Sequence, residues 1–173
     1  MFFGGACEIS TGRDQRWTRE NTMPSFTLTS PAFDDGAPIP EKDGYTEDNV
    51  NPPLSVTGVP EDAASLAIVM DDPDALEPAG KIWDHWLVWN VPADTGTIPE
   101  DYAAATATEG RNDFGETGYG GPNPPDGRHT YRFVAYALDT TLSLPPDATK
   151  EDLESAIEGH VLAEATLEGT YAP

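Results

Sequence analysis

Three short segments concentrate the side chains able to do chemistry: DDPDA at 71–75, KIWDHW at 81–86 and GYGGPNPPDGRHTY at 118–131. His85 and His129 are the focus. An imidazole nitrogen can donate to an anionic oxygen, and a carboxylate such as Asp72 behind one ring would fix its tautomer and raise its pKa, so that protonation strengthens binding. Gly121 lets the backbone approach a ligand closely, while Pro122, Pro124 and Pro125 stiffen their loop and reduce the entropy lost on binding. Trp83, Trp86 and Tyr131 supply an apolar wall. Each feature alone has a plainer account. A single histidine in a strand is more often structural than ligating, GGPNPPDG is a turn, and DDPD is solvated acid. His160, with no acidic or glycine-rich partner nearby in sequence, is assigned a structural role.

These segments need a scaffold that brings them together. Apolar runs bounded by Pro, Gly, Asp or Asn predict strands at about 25–29, 53–58, 65–71, 84–91, 130–139 and 161–170. In HWLVWNV, alternation sets His85, Leu87 and Trp89 against Trp86, Val88 and Asn90; in TYRFVAYALD it sets Tyr131, Phe133, Ala135 and Ala137 against Arg132, Val134, Tyr136 and Leu138. Both faces of each run are largely apolar, which predicts strands covered on both sides. One helix follows Thr149, with Asp152 as an imperfect capping partner and Leu153, Ala156 and Ile157 at helical spacing, and Gly159 ends it. The chemistry-bearing segments then fall at strand ends, where loops on a rigid scaffold build pockets.

The 173 residues suit one domain, and 17 Pro with 16 Gly favour short strands joined by turns. The net charge of −22 argues against binding nucleic acid or an anionic membrane by bulk attraction. The acid is dispersed along the chain with only Lys42, Lys81 and Lys150 among it, a composition that resembles proteins of halophilic archaea. At about 1 M salt the screening length falls to roughly 3 Å, which removes most self-repulsion, and folding is expected to require such salt. The single cysteine, Cys7, permits no intramolecular disulfide and fits a reducing cytoplasm. No apolar run reaches the roughly 18 residues of a membrane span. Residues 1–22, which hold Arg13, Arg16 and Arg19 and show no period, read as a flexible extension ahead of a domain over 23–173.

DPDA, followed by WDHWLVWNVP and then RNDFGETGYGGPNPPDGRHTYRF, resembles the phosphatidylethanolamine-binding protein family in its bacterial and archaeal, Raf-kinase-inhibitor-like branch. The resemblance runs from about Met23 to Pro173. It implies a mainly β fold, a sandwich of two sheets with one or two short peripheral helices. It also implies a pocket for phosphate-like anions or phosphorylated ligands, formed by Asp72, Asp74, Trp83, His85, Gly121, Pro122, Pro124, His129 and Tyr131. No cofactor, no metal and no catalytic residue is implied. A homodimer and a kinase or protease partner are suggested by relatives and by the family's name. The residues themselves leave two alternatives open: a metal site on Asp72, Asp74, His85 and His129, and a hydrolase using the same cluster without an obvious nucleophile. The chain departs from the usual pattern at Leu76 and Asn123 and ends at Pro173 without the eukaryotic C-terminal helix. Arg111, Arg128 and Arg132 surround the third segment and offset the unfavourable net charge there.

Overall fold

The computed structural model describes residues 24–173; the proposed extension at 1–22, and Cys7 with it, lies outside the described residues. The strands are β1 (Thr27–Thr29), β2 (Leu54–Thr57), β3 (Ser65–Asp72), β4 (Trp83–Pro92), β5 (Thr97–Ile98), β6 (Thr108–Glu109), β7 (His129–Leu138) and β8 (Val161–Tyr171). The helices are α1 (Leu76–Ala79) and α2 (Lys150–Ile157). The strands form two antiparallel sheets, one ordered β1-β2-β5 and the other β6-β4-β3-β7-β8. The fold is the expected two-sheet, mostly β architecture with two short helices.

Burial follows the pleat. Leu66, Ile68 and Met70 of β3, Trp86 and Val88 of β4, and Phe133, Ala135 and Ala137 of β7 face the small sheet, whose Leu28, Leu54, Val56 and Ile98 close the sandwich core. The opposite face presents Ala67, Val69, Leu87 and Trp89 to Leu153 and Ile157 of α2. Each of those two helix side chains contributes roughly 2 kcal/mol by burial. At its start, the Thr149 side chain accepts from the Asp152 amide while the Asp152 carboxylate accepts from the Thr149 amide. This complete capping box is stronger than the imperfect pair expected. Gly159, at φ 80°, turns the chain out of the helix.

Strict alternation fails twice in β4. Met70 pairs with Trp86 but Asp71 pairs with Asp84, so His85 is an extra residue, a β-bulge. A second irregularity lies between the pairs Ile68–Val88 and Leu66–Val91, where Asn90 takes φ 57°. Asn90 therefore does not continue the Trp86 and Val88 face. Its side chain instead clamps the backbone of Leu142, donating to the carbonyl at 2.8 Å and accepting from the amide at 2.7 Å. His85 likewise leaves the Leu87 face, and its ring stands 5.2 Å from that of Tyr131.

Candidate functional site

The bulge matters because Asp72, His129 and Tyr131 occupy the sandwich-side face at one end of β3 and β7. Turning His85 toward Tyr131 completes a cavity of about 380 Å³ lined by Asp72, Trp83, His85, Phe114, Asn123 and His129, with Ala75, Pro78, Ala79 and Pro125 around them.

Asp72 is fixed through both oxygens. The DPDA turn makes it the cap of a 3-10 turn over Pro73–Ala75, with Oδ1 accepting from the amides of Asp74 at 3.0 Å and Ala75 at 3.2 Å. Its Oδ2 faces Nδ1 of His129 at 2.6 Å, and both side chains are buried. The other nitrogen of His129, Nε2, lies 2.8 Å from Oδ1 of Asp126, whose side chain is 60% exposed. Ionised carboxylates only accept hydrogen bonds, so a ring held between two of them satisfies both contacts only when both nitrogens carry protons. Burial alone would depress the His129 pKa, but the bonds to Asp72 and Asp126 outweigh it and hold it above the ordinary value.

His85 has the opposite character. It is 2% exposed, and its Nδ1 donates to the Gly120 carbonyl at 2.6 Å. Burial depresses its pKa, and the carbonyl only partly opposes this. The ring is therefore neutral near pH 7 with its proton on Nδ1, which leaves Nε2 as an acceptor. The two rings therefore differ: His129, with Asp72 behind it as the sequence suggested for one ring, is a donor at both nitrogens, whereas His85 presents an acceptor where a donor was expected.

The aromatic wall is partly different from the expected one. Trp83 and Tyr45 pack on Phe114, at 5.5 Å edge-to-face and 4.0 Å stacked, and Phe114 meets the His85 ring at 5.5 Å. Phe114 is held by Asn112, a buried side chain whose Oδ1 accepts from the amides of Phe114 and Glu116 and whose Nδ2 donates to the Gly118 carbonyl. An Asn three residues before Gly115 is a local turn signal that could have drawn notice to this loop. Trp86 lies in the sandwich core with Nε1 donating to Glu109 at 2.8 Å, away from the cavity. Tyr131 is fully buried behind it; burial first, and then the charge of Asp72, push its phenol pKa up.

The remaining expected residues are placed elsewhere. Asp74 turns outward, accepting from the Thr130 amide at 2.8 Å, and borders a shallow depression beside His129. Pro122 and Pro124 line a separate groove against Ile39 and the chain's C-terminal residues. Gly121 does not line the cavity. Its amide donates to Asn49 at 2.8 Å, and a Cβ there would overlap the Asp43 carbonyl, so it is needed for backbone packing rather than for ligand approach. Among the described residues no arginine lines the cavity: Arg132 binds Asp71 through two bonds of 2.8 and 2.7 Å on the α2 side, Arg128 lies at the outer depression, and Arg111 forms a backbone bridge with Thr117. Lys150 joins Asp71 at 2.6 Å, and these two cations outweigh burial to keep the Asp71 pKa low. His160 pairs with Asp139 at 2.7 Å at the surface. Among the described residues no group of three or more His, Cys, Asp or Glu is disposed to hold a metal ion.

Two packed sheets with a partly buried imidazole cavity at one end define a β-sandwich with a single-ended rim pocket. The chain belongs to the phosphatidylethanolamine-binding protein family, whose profile matches residues 29–172. It is 46% identical over 151 residues to a UPF0098 protein of Methanothermobacter thermautotrophicus, covering 84% of this chain and 98% of the relative. A phosphatidylethanolamine-binding-protein homologue from Chlamydia trachomatis superposes with TM-score 0.80 at 42% identity, covering 85% of this chain and 97% of that one. The Escherichia coli structure described as a new member of the mammalian family gives 0.78 at 31%, over 85% and 98% of the two chains. The relatives are thus both archaeal and bacterial. No described helix is long and apolar enough to cross a membrane.

Proposed function

We propose that the protein binds a small phosphate-like anion, or the phosphoryl group of a larger ligand, in the cavity between His85 and His129. The observation that carries this reading is His129, its Nδ1 at 2.6 Å from a buried, fully bonded Asp72, lining a cavity wide enough for such a group. A charged ring with an outward N–H donates a short, strong bond to an anionic oxygen. Neutral His85 offers an acceptor instead, so the favoured ligand also presents a donor, as a protonated phosphate oxygen does. Trp83 and Phe114 cover the apolar remainder of a ligand. Molar salt screens the protein's negative field beyond a few ångströms and leaves such contact bonds in place. The same proposal sets the protein in a salt-rich cytoplasm. The relatives' names identify no protein partner for this chain, and a shared fold does not transmit one.

Ligand-detected NMR with inorganic phosphate and phosphorylated small molecules, in molar KCl at pH 6 and pH 8, tests the reading. Saturable binding that weakens at pH 8 and disappears in His129→Ala is expected. An unchanged dissociation constant across that range, or full binding by the variant, rejects it. Turnover of a phosphorylated compound would favour a hydrolytic role for the same cluster.

A further inference from the structure

Asp126 has no role in the binding reading, yet it makes one of the closest contacts in the site. Its Oδ1 lies 2.8 Å from His129 Nε2. This is the ring nitrogen left to a ligand, because Nδ1 is committed to Asp72. The charge count at the ring is then unfavourable to an anion. One imidazolium faces two carboxylates, Asp72 and Asp126, and the set carries a net charge of −1. With Asp126 turned away the remaining pair is neutral and Nε2–H is free to donate. The two carboxylates are held very differently. Asp72 is buried and receives two backbone amides as well as the histidine. Asp126 is 60% exposed, and its bond to His129 is the only one found for its side chain among the described residues. It stands between Pro125, which lines the cavity, and Gly127, at φ 151° with open space where a Cβ would be. A carboxylate so placed can swing into solvent at the loss of one hydrogen bond.

We propose that Asp126 is a tethered competitor for the ligand: its carboxylate occupies the anion position on His129 and must be displaced before an anionic group docks, so that this side chain sets the site's affinity for anions. The proposal rests on the binding reading above and adds the residue that tunes it. Asp126 borders the outer depression together with Asp74 and Glu77, where Arg128 and the His129 ring are the cations, so three carboxylates face two positive charges. The rim is therefore poor at receiving a second negative charge.

Asp126→Ala removes the competitor, and Asp126→Asn keeps the shape while removing the charge. Isothermal titration with inorganic phosphate in molar KCl at pH 6 compares both with the unaltered chain. Loss of one charge-assisted bond that the ligand must otherwise break corresponds to about tenfold tighter binding for Asp126→Ala, with Asp126→Asn between it and the unaltered protein. Phosphate binding by the unaltered protein that Asp126→Ala leaves unchanged or weakens overturns the competition while leaving the anion site intact. Absence of phosphate binding in all three proteins removes the anion reading itself, and the competitor with it. Circular dichroism of each variant confirms the fold; substitution at an exposed turn leaves it unchanged.

Discussion

Asp43 offers the sharpest test of the physical account. Its side chain is fully buried at the end of a 3-10 turn over Glu41–Asp43, and neither carboxyl oxygen has a hydrogen-bond partner among the described residues. Burial raises its pKa from 3.8 to about 7, with Lys42 opposing and Glu100 reinforcing the shift. The folded state thus holds this proton more tightly than the unfolded state does. The associated stability is fully present below the unfolded value of 3.8 and is lost as pH rises through 7. A shift of about three units corresponds to a loss of about 4 kcal/mol across that window. Asp43→Asn removes the titration. Asparagine brings its own cost of a buried amide, but that cost is independent of pH and displaces the stability curve without tilting it. His129, whose raised pKa also makes stability fall with rising pH, is present in both proteins and cancels in the comparison. Urea unfolding in constant molar KCl at pH 4, 5.5, 7 and 8 should show the variant gaining about 4 kcal/mol on the wild type between the extremes. Parallel curves would refute the claim that an unpaired carboxyl is buried here. The position bears on the site, because the Asp43 carbonyl accepts from Tyr119 and lies against Gly121, while Tyr45 two residues on backs Phe114.

Three further outcomes are expected. Asp72→Asn takes a charge from behind His129, lowers that ring's pKa, and moves the decline of phosphate affinity to lower pH, read as dissociation constants from pH 5 to 8; an unmoved profile would separate Asp72 from His129. Gly121→Ala forces a methyl group into the Asp43 carbonyl and should cost at least about 2 kcal/mol by urea unfolding, whereas a neutral effect would show that the loop yields freely. The charge of −22 predicts that the melting temperature drops on dialysis from molar to millimolar KCl, and a constant value would contradict salt-dependent folding.

Much of the scaffold was legible because its strands carry their own pattern. Residues 65–71, 84–91 and 130–139 are largely apolar on both faces, which marks strands covered on both sides, and the observed bounds differ from these by one residue at an end. The two-residue strands β5 and β6 were not legible, since a pair such as Thr97–Ile98 has no period to detect and exists only through its neighbours. The same holds for Phe114. Nothing in DFGETG marks an apolar wall, and the ring reaches the cavity only because Asn112 folds its loop and Tyr45, 69 positions earlier in the chain, stacks on it.

The site divides along a similar line, between residue type and residue state. That Asp72, His85 and His129 should meet was readable from three motifs in order, but what each nitrogen does was not. Alternation placed His85 on the Leu87 face, and only the bulge, a property of pairing with β3, turns it to Tyr131. Once there, the Gly120 carbonyl decides its tautomer, while carboxylates 57 positions before and 3 positions before His129 decide the charge of the second ring. Two identical side chains become an acceptor and a cationic donor because one meets a backbone oxygen and the other meets acids. A pocket of two protonated histidines would favour a fully ionised anion. This pocket instead sets a donor ring opposite an acceptor ring, and the Asp126 carboxylate in the turn before His129 already accepts from the donor.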